Sequence, residues 1–187
     1  MPESIPATTR KNSRDSILDA AQQVTARDGA GNLTLDKVAS ECGLSKGGLL
    51  YNYPSKEALL KAMLERLLHR HHQSMLQERE RLGELPNATL RAFLSAWNNQ
   101  GLLDPDVCLS ILAAAAQRPD LLEPLSDYRR RIHQQIVQES RDPVQALLLW
   151  AAADGIIFDT ILGTAPYTGE EKQSLILYLM QSAEALA

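Results

Sequence analysis

The amino-acid sequence predicts an all-α protein of about nine helices, and three observations carry that prediction. Apolar residues recur with a 3.6-residue period along almost the whole chain. The alternating Val, Ile, Thr and aromatic runs that mark strands are missing. Hydrophobic residues make up 44% and charged residues 22% of the 187, proportions that bury a core and exclude a wholly disordered or fibrous chain.

Residues 1–12 are polar and read as a flexible arm without the apolar segment of a signal peptide. The first helix is expected from Ser13, as its cap, to Asp28, with Ile17, Ala20, Ala21 and Val24 on the buried face, and Gly29 to Asn32 ends it. Thr34 caps a short second helix that Gly43 breaks. Ser45 opens a short third helix that ends at Tyr53, because Pro54 disfavours helix at the residue before it. Ser55 caps a long fourth helix reaching about Leu82, with Glu57 in its first turn against the helix dipole.

Five more helical segments are expected over 88–99, 105–117, 120–139, 143–162 and 170–186, with Pro124 kinking or restarting the third of these. The most apolar stretch, Val144 to Phe158, is interrupted by Gln145 and Asp154 and reads as a buried helix rather than a membrane span. The organisation predicted is an arm over 1–12, a three-helix domain over 13–60, and a helical body over 61–187 joined to it through the long fourth helix.

Charge is uneven. Residues 1–72 hold 10 Lys+Arg against 8 Asp+Glu, and the remainder hold 9 against 15, together the net −4. The first third therefore suits an anionic partner better than the rest. The two cysteines, Cys42 and Cys108, lie in apolar helical contexts and fit core positions in a cytoplasmic protein.

Residues 34–53 have the layout of a helix-turn-helix. A small residue sits where the two helices touch (Ala39), a glycine sits in the turn (Gly43), and Val38, Cys42, Leu44 and Leu49 fill the apolar slots. The consequence is an exposed short helix able to enter a DNA major groove by its N-terminal end. Its outward residues Ser45, Lys46, Gly47 and Gly48 are small or cationic, so backbone approaches base edges while Lys46 reaches guanine or phosphate. Thr34, Tyr51, Asn52 and Lys56 surround it as candidate phosphate contacts.

The run Thr34-Leu35-Asp36-Lys37-Val38-Ala39-Ser40-Glu41-Cys42-Gly43-Leu44-Ser45-Lys46-Gly47-Gly48-Leu49-Leu50-Tyr51-Asn52-Tyr53-Pro54-Ser55-Lys56-Glu57-Ala58-Leu59, with Ile17 to Ala21 before it, resembles the N-terminal domain of the TetR family of transcriptional repressors. The resemblance covers residues 13–65. It implies a homodimer that binds a palindromic operator and leaves it when a small molecule occupies the C-terminal domain. It also implies phosphate contacts at Thr34, Tyr51, Asn52 and Lys56 and base-facing residues from Lys46 to Gly48. Leu50 stands in a slot often aromatic in the family and Asn52 in one often His or Tyr, so operator preference does not carry over from relatives.

In the body, Phe93, Trp97, Cys108, Tyr128, Trp150, Asp154 and Phe158 are candidate lining for an effector pocket, as aromatics with a few polar groups commonly are. Core packing is the competing reading of each. Ala152, Gly155, Asp159, Leu175, Tyr178, Leu179, Ser182 and Leu186 are candidates for a dimer interface in which the last two helices pair with their twins. His69, His71 and His72 lack a carboxylate or cysteine at ligand spacing, so no metal is expected and a solvated helix face is. Arg129 to Arg131 read likewise as a solvated, Glu-paired face rather than an anionic-effector site.

No Gly-rich phosphate loop, nucleophile elbow, H-E-x-x-H or C-x-x-C pair is present, so neither enzyme chemistry nor a cofactor is expected. The sequence points to a ligand-responsive, DNA-binding repressor with double-stranded DNA, a second copy and a small molecule as partners, and no membrane. The alternative is a DNA-binding protein without a small-molecule effector, architectural or controlled by a protein partner.

Overall fold

The computed structural model describes residues 7–98 and 104–186, with side chains from Ser13 onward other than those of Ala30 and Asn98. Among these residues there are nine α-helices and no strand. They are α1 (Ala7–Asp28), α2 (Leu35–Glu41), α3 (Lys46–Asn52), α4 (Lys56–Leu82), α5 (Ala88–Asn98), α6 (Pro105–Ala115), α7 (Glu123–Glu139), α8 (Pro143–Leu162) and α9 (Gly169–Ala185). Short 3-10 turns at Ala30–Asn32 and Pro119–Leu122 follow α1 and precede α7.

Three boundaries differ from the sequence reading. Helix α1 starts at Ala7, so Ser13 is interior rather than a cap; nothing between Ala7 and Ser13 breaks a helix, and one cap-type residue does not start one. The rest of the expected arm lies outside the described residues, as does the expected end of α5 at Asn99. The segment after Pro119 divides at Glu123, which places Pro124 in the first turn of α7, where its missing N–H costs nothing. Helix α9 starts at Gly169, because Thr168 accepts from Glu171 N while the Glu171 carboxylate accepts from Thr168 N at 2.7 Å.

The described residues fall into two compact units. The first holds the chain through Leu64 together with Asp106–Leu122, and so contains α1–α3, the start of α4 and nearly all of α6. Helix α1 packs on α2, and α2 on α3, around fully buried Ile17, Val24, Leu33, Val38, Leu49 and Leu59. Ion pairs from Arg27 to Glu41 and from Lys37 to Asp28 brace α1 against α2 at its solvent edge.

The second unit holds Glu65–Pro105 and the chain from Glu123. Helix α5 lies against α7, α8 and α9, and α8 against α7 and α9, over a core that includes Leu90, Leu94, Ile132, Ile136, Ala146 and Ala183. The N-terminus of α5 is tied by a carboxylate from α7. Glu139 accepts from the Thr89 amide at 2.7 Å, from the Thr89 hydroxyl at 2.9 Å and from Arg79 of α4. It thereby satisfies an orphan donor at the positive end of the α5 dipole.

Helix α8 departs from the buried helix expected. Only Ala146, Leu149, Trp150 and Ala153 are buried, while Val144, Leu148, Phe158 and Leu162 stay exposed. By length and composition it is long and apolar enough to cross a membrane. A helix with four residues in the core of its own unit has its surplus apolar surface on the other side.

Candidate functional site

The helix-turn-helix is built from three local devices. The Thr34 hydroxyl caps α2 by accepting from Lys37 N at 3.3 Å. At the other end Gly43 takes φ 68°, which lets Leu44 N donate to Ala39 O at 2.9 Å and Gly43 N to Ser40 O at 3.3 Å. This paired closure needs a left-handed residue and turns the chain sharply into α3. Ser45 then caps α3 through Gly48 N at 3.1 Å.

With Leu49 fully buried, α3 presents Ser45, Lys46, Gly47 and Tyr51 to solvent, and the Tyr51 side chain is 62% exposed. A Cβ on Gly48 would meet Ser45 Oγ at 3.4 Å, whereas one on Gly47 would meet nothing within 4 Å. A Cβ on Gly48 would thus make only ordinary contact with α3's own cap. Gly47 is small for no reason inside the protein.

The polar residues expected around α3 are differently engaged. The Lys46 ammonium sits 2.9 Å from Asp36 Oδ1 across the α2–α3 corner, both side chains exposed. Asn52 donates to Gly48 O at 3.0 Å, which turns its amide onto its own helix and buries Oδ1 without a partner. Lys56 is half-buried at the start of α4, where Ser55 caps through Ala58 N. Glu57 beside it is held below the ordinary carboxylate range by its own backbone amide and Ser55, then by Arg118 and Lys56. Tyr53 is buried, with the Arg14 guanidinium 4.7 Å above its ring. Cys42, expected in the core, is half-buried at the end of α2, its thiol directed at Ala39 O at 3.6 Å.

In the second unit the structure brings four of the seven expected pocket residues into one aromatic cluster. Phe93 packs edge-on to Trp97 (5.8 Å between centroids) and to Trp150 (6.0 Å). The residue that joins them to Tyr128 is one the sequence reading placed on a solvated face. His71 is 2% exposed, 4.6 Å from the Trp97 ring and 5.3 Å from Phe93, and its Nδ1 lies 2.6 Å from the Tyr128 hydroxyl. The signal was available: His71 falls in register with Leu60, Leu64, Leu68 and Met75 on the apolar stripe of α4. Burial, then His72, pushes the His71 imidazole down to about 4, so it is neutral at pH 7. Burial raises Tyr128 well above the usual phenol range.

The remaining three pocket candidates lie elsewhere. Asp154 pairs with Arg129 at 2.6 Å, and that guanidinium also covers the Trp150 ring at 4.7 Å, so Arg129 is acid-paired but through an aspartate rather than a glutamate. Phe158 is 52% exposed on the outer side of α8. Cys108 belongs to α6, which groups with the first unit. Of the dimer candidates, Ala152, Gly155, Leu175 and Tyr178 are exposed, and Ser182 and Leu186 are half-buried. Asp159 accepts from the Tyr167 hydroxyl at 3.3 Å, and Leu179 is buried within its own unit. Among the described residues no group of three His, Cys, Asp or Glu side chains could hold a metal.

Residues 17–63 match the family model described as bacterial regulatory proteins, tetR family, and residues 87–184 match the tetracyclin repressor-like C-terminal domain. The chain belongs to the TetR family. It is therefore a DNA-binding transcriptional regulator rather than an enzyme.

Curated relatives of this TetR-family chain include the nucleoid occlusion factor SlmA of Sodalis glossinidius, 31% identical over 99 residues, which is 50% of each chain. SlmA of Aliivibrio fischeri is 38% identical over 61 residues, 32% of this chain and 31% of that protein. The chain spans about half the length of the curated relatives it matches, or less. A transcriptional regulator from Rhodococcus sp. Rha1 superposes with a TM-score of 0.71 at 21% identity, covering 91% of this chain and 95% of that one. The multidrug binding protein EbrR in complex with ethidium gives 0.63 at 23% identity, covering 89% and 98%. At such identities these structures show the shared fold.

Proposed function

We propose that this regulator is a ligand-responsive repressor that binds a palindromic operator as a homodimer and is released by a small molecule. The observation that carries the reading is the outer face of α3. Lys46 and Tyr51 flank Gly47, where a Cβ would have open space, so the missing side chain serves the approach of something outside the protein. A major groove is that partner. In this reading Ser45, Lys46, Gly47 and Gly48 face bases, and Thr34, Tyr51, Asn52 and Lys56 hold phosphates. Lys46 must exchange Asp36 for DNA, and the Asn52 amide must turn from Gly48 O or use its second N–H.

The exposed apolar residues of α8 and α9 support pairing with a second copy, which supplies the two-fold symmetry of a palindrome. The aromatic cluster supports a small-molecule site in the second unit, and EbrR, of the same fold, is a multidrug binder. A ligand there releases the operator only through its differential affinity for the free and bound states. The protein then works in the cytoplasm, where its DNA is.

The SlmA matches favour a second reading, a DNA-binding protein without a small-molecule effector. Selection of genomic fragments by the purified protein at ~150 mM salt, where phosphate-only binding is weak, tests both. An enriched palindrome that compounds release supports the repressor. Enrichment that no compound reverses leaves the second reading, and sequence-blind binding sinks the first.

A further inference from the structure

Four ring nitrogens in the second unit are buried without hydrogen-bond partners, Nδ1 of His72 beside Tyr128 and three around Phe93: Nε2 of His71 and Nε1 of Trp97 and Trp150. These last three belong to the same ring cluster, bridged by Phe93. A buried polar group left unpaired costs about 1–3 kcal/mol, so three in one cluster call for a reason. The indole nitrogens are donors only.

The state of His71 follows from Tyr128. That hydroxyl has one proton and two acceptors in reach, His71 Nδ1 at 2.6 Å and Met75 Sδ at 3.1 Å. Imidazole nitrogen is a far stronger acceptor than a thioether. Tyr128 therefore donates to Nδ1, and the imidazole proton resides on Nε2 as a third donor. Of the cations beside the cluster, Arg129 is paired with Asp154, and the Arg131 charge acts on Tyr128 and His72.

We propose that the ligand of this cluster is a flat, uncharged aromatic compound whose carbonyl or similar acceptor oxygen meets the N–H groups of His71, Trp97 and Trp150. This rests on the small-molecule reading above and names the chemical class. Three neutral donors and flat walls favour acceptor oxygens on an aromatic ring. They disfavour a cation at the N–H edges, where it would lose its hydration, and the Trp150 face is already covered by the Arg129 guanidinium. On this ground the chain differs from EbrR, which is complexed with ethidium.

The test uses the full-length protein and three probes: coumarin, a two-ring lactone; naphthalene, of similar shape without an acceptor; and ethidium, a cation. The chain has 2 tryptophans, both in the cluster, so their emission reports on it alone. Coumarin should bind saturably by calorimetry, raise Tm and shift tryptophan emission, with naphthalene at least about tenfold weaker. Trp97→Phe and Trp150→Phe each keep the wall and leave one reporter, and each should weaken coumarin about tenfold, the worth of one well-made hydrogen bond. Equal binding of naphthalene and coumarin overturns the inference. So does ethidium perturbing the emission, or emission unmoved by coumarin up to its solubility, which means a packed core. Operator release is scored apart: coumarin bound at the cluster without release upholds the ligand class and counts against repression through this site.

Discussion

The only cation of α3, Lys46, is held 2.9 Å from Asp36 of α2, so the residue aimed at DNA begins in an ion pair with its own domain. Both side chains are well exposed, and such pairs contribute only about 0.2–1 kcal/mol to stability. The pair matters more for binding, because Asp36 competes with phosphate for the ammonium and repels the backbone. Asp36→Asn should tighten operator binding roughly three- to tenfold at fixed salt, read by fluorescence anisotropy. Lys46→Ala should lower the slope of log K against log salt by about 0.9 per protomer, about 1.8 for the dimer, if the contact is phosphate. An unchanged slope with lost preference at one base pair would assign it to guanine. Asp36→Asn without effect would mean that Lys46 never leaves its pair.

Gly43 and Gly47 separate a folding role from a binding role. Gly43 holds φ 68°, where a side chain costs roughly 1–2 kcal/mol, so Gly43→Ala should lower stability by that amount in a urea melt. Gly47 has helical geometry and open space for a Cβ. Gly47→Ala should raise stability by up to about 1 kcal/mol while weakening operator binding at least about tenfold. Loss of stability in Gly47→Ala would refute the claim that its smallness faces outward.

The elements whose ends carry chemistry were legible in the sequence. Thr34, Ser45 and Ser55 cap where side-chain oxygens and following N–H groups predict, whereas Ser13 lies inside α1. Gly43 and Gly163 close α2 and α8 in the same left-handed geometry. What escaped was information that no single helix holds. His71 looked solvated beside His69 and His72, although its register on α4 is apolar and its partner Tyr128 lies on α7. Helix α8 is apolar on more than one face, so spacing could not tell Trp150, turned inward, from Phe158, turned out. Cys108 sits in a helix whose unit is set by contacts distant in sequence.

The buried His71 makes stability depend on pH. Its folded-state value of about 4 lies below the ordinary 6.5, because burial penalises the imidazolium. The unfolded chain therefore binds the proton first. The contribution is complete above pH 6.5, is lost as pH falls toward about 4, and is flat below. Between pH 7 and pH 5 the loss amounts to about 2 kcal/mol. Urea melts of wild type and His71→Gln should differ in slope over that window, the variant losing less. Parallel curves would mean that His71 is hydrated.

Glu139 holds three donors from two other helices, and its removal should be felt at the N-terminus of α5. Glu139→Gln keeps the shape but loses charge-assisted bonds, costing about 1–3 kcal/mol. Glu139→Ala should cost more, since Arg79 then faces Thr89 without an anion. Hydrogen exchange at the Thr89 amide should speed up in both, and protection unchanged from wild type would place the stabilisation elsewhere.

Leu148 and Tyr178 are 67% and 68% exposed on α8 and α9, although each is large and apolar enough to belong in a core. If a second copy covers them, Leu148→Glu and Tyr178→Glu should halve the mass seen in analytical ultracentrifugation. Neither should change the unfolding free energy of the separated chain in a urea melt by more than about 0.5 kcal/mol, since neither is buried within it. Operator binding should fall at least about a hundredfold, because two half-site contacts no longer act as one. Leu179→Ala provides the contrast, for Leu179 is buried within its own chain. It should cost about 2–5 kcal/mol of folding. A dimer that survives both glutamates would move the interface off this face and leave the apolar surface of α8 to another partner.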